Sequence, residues 1–169
     1  MKVVVTGAGG FIGKNLCATL DRIDGLEVKQ VFSSTQKDEY SLWIKEANII
    51  YHLAGVNRPK DTSEFVKVNT TFTREILEFA AEGGLAPTIV ISSTTQAVLD
   101  NDYGKSKRAA EELIENYASS GRIQAAIYRL PGVFGKWSRP NYNSVVSTFC
   151  YNVANEIPLE VRDPSFALP

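Results

Sequence analysis

The chain has 169 residues and a formal net charge of -1, with 44% apolar residues, 22% charged residues and a mean hydropathy of -0.12. This ordinary globular profile is long enough to bury a core, and it excludes a disordered chain, a coiled coil and a collagen-like chain. No apolar run reaches the roughly 18 residues of a membrane-spanning helix. The small basic cluster Lys105, Lys107, Arg108 does not make a nucleic-acid or anionic-membrane surface.

The chain alternates strand-like and helix-like segments. Lys2–Thr6 is a β-branched run, and Phe11 to about Arg22 follows with Ile12, Leu16, Leu20 and Ile23 on one helical face. Glu27–Phe32 is a second strand, Tyr40–Ala47 a short helical stretch and Asn48–Leu53 a third apolar strand. Ser63–Glu82 is the strongest helix, with Phe65, Val68, Phe72, Ile76 and Phe79 at spacings of three and four, ended by Gly83 and Gly84. Thr88–Ser92 is a fourth strand, Tyr103–Ser119 a helix, Ile123–Leu130 a fifth strand, Asn143–Asn155 a helix and Leu159–Arg162 a last strand. Strands alternating with helices predict βαβ units in one α/β domain: a Rossmann-type, doubly wound parallel sheet covered on both faces.

Three stretches carry chemistry. The first strand runs into Gly7, Gly10 and Gly13 before a helix, a G-x-x-G-x-x-G turn. Such a turn brings backbone N–H groups to a pyrophosphate at a helix N-terminus; the plainer reading is a tight strand-to-helix turn that binds nothing. The end of the second strand discriminates between dinucleotides. NAD calls for an acid there, roughly 20 residues past the loop, but the chain reads Ser33, Ser34, Thr35, Gln36, Lys37. Hydroxyls with a nearby lysine suit a 2′-phosphate, so NADP(H) is the expected cofactor, with NAD(H) the other option. Finally, Tyr103 and Lys107 share a helix face at i and i+4. A nearby ammonium favours the phenolate, tuning a tyrosine for proton transfer. Ser92, Ser93, Thr94 and Thr95 end the fourth strand at the carboxyl edge, where open α/β sheets bind ligands. Alone, Y-x-x-x-K is commonly a solvated surface pair; its weight comes from the combination.

Other candidates read as structural. One His and two distant cysteines, Cys17 and Cys150, leave neither a disulfide framework nor a metal site. His52 reads as a satisfied structural residue, Cys150 as a core residue, and Trp43 and Trp137 as packing residues. Asn69, inside the long helix, reads as an anchor for a water or a backbone carbonyl. Cysteine usage and the lack of a signal-peptide pattern point to the cytoplasm.

TGAGGFIG, HLAGVNRP (His52–Pro59), ISSTTQ and YGKSK together resemble the extended short-chain dehydrogenase/reductase family of nucleotide-sugar epimerases, dehydratases and reductases. HLAGVNRP and Phe134–Ala154 resemble, more narrowly, the reductase half of bifunctional capsular-polysaccharide enzymes of CapF type. The resemblance implies NADPH-dependent reduction of a UDP-4-keto-6-deoxy-amino-sugar on the route to UDP-N-acetyl-L-fucosamine. It implies Tyr103 as catalytic acid, Lys107 as its partner and ribose ligand, and Thr94, with Ser93 as the alternative, on the substrate oxygen. Gly7, Gly10, Phe11, Ile12 and Gly13 line the pyrophosphate in this reading. Ser33 and Ser34 meet the adenosine ribose; Leu53, Ala54, Gly55, Asn57 and Pro131 meet the cofactor. Arg58, Arg129, Asn141 and Asn143 are candidates for substrate contact. A homodimer through helices 63–82 and 103–119 follows by the same analogy. An epimerase or dehydratase with tightly bound NAD, and a non-catalytic NADP-sensing domain, remain alternatives.

The chain departs from the family in two places. The stretch from Gly13 to His52 is shorter than extended members carry, which fits the capsular type, and Gly132 stands where relatives place Asn. Since relatives continue past this point, the chain is expected to be a fragment lacking the substrate lobe and any cupin domain, with little turnover in isolation.

Overall fold

The β-branched run Lys2–Thr6 forms strand β1, and Phe11–Leu20 forms helix α1 directly after the glycine turn. Strand β2 is Glu27–Val31, helix α2 Lys37–Lys45, and strand β3 Ile49–His52. The computed structural model describes residues 1–161. The long helix predicted over 63–82 has two parts: a wide, π-helical segment over Phe65–Thr71, then helix α3 over Phe72–Gly83. Strand β4 spans Thr88–Thr94 and turns through a 3-10 segment, Thr95–Val98, into helix α4, Asp102–Ser119. Strand β5 is Gln124–Leu130 and helix α5 Val145–Ala154.

The strands form one sheet in the order β2-β1-β3-β4-β5. β1 pairs in parallel with β2 and β3, and β3 with β4, in a register that aligns Thr6 with Val31 and His52, and His52 with Ile91. The carboxyl ends of β1, β2 and β3 therefore finish level, and β4 runs three residues further, to Thr94. The chain leaves β1 in one direction for β2 and returns on the other side for β3, so the switch point lies between β1 and β3, where open α/β sheets place ligands. The shortening between Gly13 and His52 is visible here as the one strand, β2, beyond β1.

Period-two alternation sends β1 side chains to both faces. Val3 and Val5 pack with Cys17 and Leu20 of α1. Val4 packs on the other face with Ile44, Ile50, Ile76, Leu77, Ile89, Ala110 and Ile114, under α2, α3 and α4. Each fully buried isoleucine contributes about 1.5–3 kcal/mol, so the second face holds most of the apolar stabilisation. Trp43 packs against this second cluster, as read from the sequence.

Two compact units divide the chain, Met1–Arg129 and a second beginning at Leu130. Within the second, Ser144 caps α5 by accepting from the Ser147 N–H at 3.2 Å, and the Asn141 N–H donates to Thr148 Oγ1 at 2.9 Å. Three expectations fail here. Cys150 is exposed rather than in a core. Trp137 is 46% exposed at φ 68°, with the Lys136 ammonium over its ring, instead of packing inside. Leu159–Val161 are irregular rather than a strand, and Arg162 lies outside the described residues. No helix among the described residues is long and apolar enough to cross a membrane, and no group of three or more His, Cys, Asp or Glu among them could hold a metal ion.

Candidate active site

The glycine turn is shaped by what its residues lack. Gly7 sits at φ 68°, and a Cβ there would lie 2.6 Å from the Ala54 backbone nitrogen. A Cβ on Gly13 would lie 2.2 Å from the Gly7 carbonyl oxygen. Side chains are thus excluded where the turn meets the chain leaving β3 and where α1 closes on the turn. Gly10 is the N-cap of α1, has no side chain to cap it, and the first turn carries no acid. The N–H groups of the first turn, at Phe11, Ile12 and Gly13, keep the positive end of the helix open toward an anion. This cradle fits a dinucleotide pyrophosphate. Ser33 and Ser34 lie exposed in the turn after β2. The nearby Lys37 ammonium is held by the Glu75 carboxylate at 2.5 Å.

A chain of buried hydrogen bonds crosses from β1 to α4. Thr6 Oγ1 bonds His52 Nδ1 at 2.8 Å, and His52 Nε2 bonds Thr73 Oγ1 at 2.8 Å. The Thr73 hydroxyl donates its one proton to the Asn69 carbonyl at 2.8 Å, so it accepts from His52, which fixes the Nε2–H tautomer. Burial, aided by the Lys107 charge, pushes the His52 pKa down to about 3, so the ring is neutral and structural. The Asn69 side chain clamps Val56, accepting from its N–H at 2.8 Å and donating to its carbonyl at 3.0 Å. It also donates to Ser106 Oγ at 2.9 Å, and Ser106 donates to the Tyr103 carbonyl at 2.8 Å. Asn69 thereby ties the segment after β3, which carries Leu53, Ala54, Gly55 and Asn57, to the first turn of α4.

That first turn is itself fixed locally. Asn101 caps α4 by accepting from the Gly104 N–H at 2.7 Å. A Cβ on Gly104 would lie 2.3 Å from the Gln96 carbonyl, so the helix start rests directly on the 3-10 turn. Tyr103 projects from this turn with its ring 6.0 Å from that of Phe65, and its hydroxyl lies beside Thr94. Lys107, one turn on, is 5% exposed, and its Nζ would lie 3.8 Å from a Cβ on Gly55. Burial lowers its pKa to about 8, against the opposing charge of Glu111.

The phenol departs from the expected electrostatics. Burial raises the Tyr103 pKa, and it is the neighbouring Thr94 hydroxyl, not the anticipated Lys107, that opposes the rise. The two candidate hydroxyls also separate: Thr94 meets Tyr103, whereas Ser93 donates to the buried Glu111 carboxylate. Arg129, a candidate for substrate contact, places Nε at 3.0 Å and a terminal nitrogen at 2.6 Å from the two Glu111 oxygens. Arg58 is exposed beyond Asn57, while Pro131, Asn141 and Asn143 are exposed in the second unit. The sequence reading missed Asn101, Gly104 and Glu111. Asn101 was readable as a capping residue two positions before the tyrosine; Glu111 reads as one of several surface glutamates.

A glycine cradle at the switch point, beside a half-buried tyrosine and a buried lysine at the carboxyl edge, defines a Rossmann-type α/β domain. The model of the NAD dependent epimerase/dehydratase family matches residues 3–163, and the chain belongs to that family. It is 44% identical over 165 residues to the UDP-2-acetamido-2,6-beta-L-arabino-hexul-4-ose reductase of Pseudomonas aeruginosa, covering 98% of this chain and 44% of the relative. The crystal structure of the capsular polysaccharide assembling protein CapF from Staphylococcus aureus superposes with a TM-score of 0.84 at 41% identity, over 96% of this chain and 44% of that one. A UDP-glucuronic acid 4-epimerase from Bacillus cereus, solved in complex with NAD, shares the fold at 22% identity and TM-score 0.81, over 95% of this chain and 66% of that one. The chain spans under half the length of the first two.

Proposed function

We propose that this chain is the dinucleotide-binding and catalytic part of an NADPH-dependent reductase acting on a UDP-4-keto-6-deoxy-amino-sugar in surface-polysaccharide synthesis, on the route to UDP-N-acetyl-L-fucosamine. The observation that carries the reading is the Tyr103 hydroxyl beside Thr94 at the sheet edge, with Lys107 buried one turn behind it. The likeness to the Pseudomonas reductase supplies the substrate class.

The nicotinamide cofactor, when bound, supplies the hydride for C4. The chain's residues then handle the oxygen. Thr94 and Tyr103 together form a hydroxyl pair that receives a sugar carbonyl oxygen, and Tyr103 transfers its phenolic proton to that oxygen as it becomes an alkoxide. The Lys107 ammonium stabilises the phenolate left behind, which solvent reprotonates. Leu53, Ala54, Gly55 and Asn57 are placed by the Asn69 clamp to form the floor of the cofactor site. Ser33 and Ser34, with no acid between Val31 and Gln36, favour a 2′-phosphate. Because Lys37 is paired with Glu75, this preference rests on the two serines and the missing carboxylate. Arg58, Pro131, Asn141 and Asn143 are assigned to cofactor and substrate contact in the whole protein; its cytoplasmic location and homodimer through helices 63–82 and 103–119 belong to the same reading.

The test is coupled oxidation of NADPH by the intact protein in the presence of the 4-keto sugar, with the alcohol identified by NMR. Tighter binding of NADH than NADPH would reject the cofactor preference. Stoichiometric NAD that stays bound through turnover, with no net consumption, would replace reduction by epimerisation or dehydration.

A further inference from the structure

The chemistry above leaves one buried charge without a task. Glu111 lies on α4, four residues past Lys107 and eight past Tyr103, with its side chain 3% exposed. It is held from two strands: Ser93 at the end of β4 donates to Oε1, and Arg129 of β5 grips both oxygens. Burial pushes the Glu111 carboxyl up, but the hydrogen bonds from Arg129 and Ser93 and the charges of Arg129 and Lys107 outweigh it, so the group stays ionised. A carboxylate held this firmly cannot swing away to solvent, and its i, i+4 spacing puts it on the Lys107 face of the helix.

We propose that Glu111, clamped by Arg129 and Ser93, is a positioning residue whose fixed negative charge keeps the buried Lys107 ammonium protonated for its work beside Tyr103. This role rests on the reductase reading. Lys107 needs such a counter-charge, because the groups facing it are otherwise neutral or positive. β3 offers the neutral His52, the π-helical segment offers the Asn69 amide beside the same Gly55, and Tyr103 on its own helix is an un-ionised phenol. Burial already brings Lys107 down to about 8, close to working pH, and the Glu111 charge is the influence that holds it up. By Coulomb's law the Arg129 charge, lying against both carboxylate oxygens, should also temper the field of Glu111 at Lys107.

The two clamp residues should therefore move Lys107 in opposite directions. The experiment follows the lysine ε-carbon by NMR in the intact protein, labelled with carbon-13, with the Lys107 signal assigned by its loss in Lys107→Met. The unsubstituted protein should titrate near 8. Glu111→Gln should lower that midpoint by about one pH unit, and Arg129→Gln should raise it. A midpoint unmoved by Glu111→Gln, or moved the same way by both substitutions, overturns the proposal. If Glu111→Gln does not fold, Arg129→Gln decides alone, and a midpoint that stays or falls is the contrary result. The alkaline limb of the reduction rate should move with the NMR midpoint, whereas a merely structural role would depress the rate evenly at all pH values. A protein that titrates as expected but reduces no 4-keto sugar rejects the proposed function and leaves standing only the coupling of Glu111 to Lys107.

Discussion

The glycine turn and the β4–α4 corner sit at the same edge of one sheet and are built by opposite means. The turn works through absence: Gly7 and Gly13 keep Cβ atoms out of places already taken by backbone. The corner works through buried polar side chains: Lys107, and the hydrogen-bonded Thr94, Asn69, Ser106 and Glu111. A backbone cradle serves any phosphate of the right shape, whereas a network of side chains sets protonation states. Substitutions in the first should act on binding and packing, and those in the second on chemistry and pH dependence.

The largest expected effect tests the second half of that contrast. Tyr103→Phe in the intact protein should lower turnover about a thousandfold while nicotinamide cofactor affinity, read by fluorescence titration, stays nearly constant. Unchanged turnover would remove the tyrosine from the mechanism. Gly13→Ala tests the first half: with backbone 2.2 Å away, it should cost about 2–4 kcal/mol of stability and abolish dinucleotide binding. Gly9→Ala is its control. There a Cβ meets the exposed Phe32 side chain at 3.3 Å, which can turn aside, and denaturant midpoints should differ little from the parent.

Lys107→Met should separate chemistry from stability. Burial holds the Lys107 pKa at about 8 when folded, against about 10.4 in the unfolded chain. Between those values the unfolded state binds more protons, so stability rises with pH across that window; below it the charged lysine costs roughly 3 kcal/mol. The methionine variant should thus be inactive yet more stable at neutral pH, with the gain shrinking as pH climbs toward 10.4. A gain that ignores pH would show that the lysine charge is not what is strained.

Thr73→Val leaves the His52 Nε2–H without its acceptor and should cost about 1–3 kcal/mol, read by chemical denaturation. The smallest effect is expected at Cys150, whose exposure means that Cys150→Ser should change stability by less than about 0.5 kcal/mol.

The glycine turn was legible in the sequence because its spacing is local: strand, three glycines and helix follow one another directly. The five strands were legible for a similar reason, as short apolar runs bounded by turns. The polar corner was only half legible. Tyr103 and Lys107 announce themselves by i, i+4 spacing, but the partner of each is set by sheet order, not by proximity along the chain. Ser93 and Thr94 are adjacent and chemically alike, and only the packing of α4 gives one to Glu111 and the other to Tyr103. Cys150 and Trp137 were misjudged because apolar character along a helix or loop says nothing of whether a neighbour covers it. The wide turn at Phe65–Thr71 was hidden because a period near 3.6 continues on both sides of it.

That wide turn makes the site sensitive to chain length as well as to residue identity. A π-helical segment takes more residues per turn than an α-helix, so it stores the equivalent of an inserted residue. Removing one residue there would let the helix rewind into regular α geometry, and every side chain ahead of the deletion would rotate by about 100° relative to α3. Asn69 would then swing away from Val56 and Ser106 although no contact residue had been replaced. Helical phase, set by a single residue of length, is thus as much a part of this active site as its tyrosine.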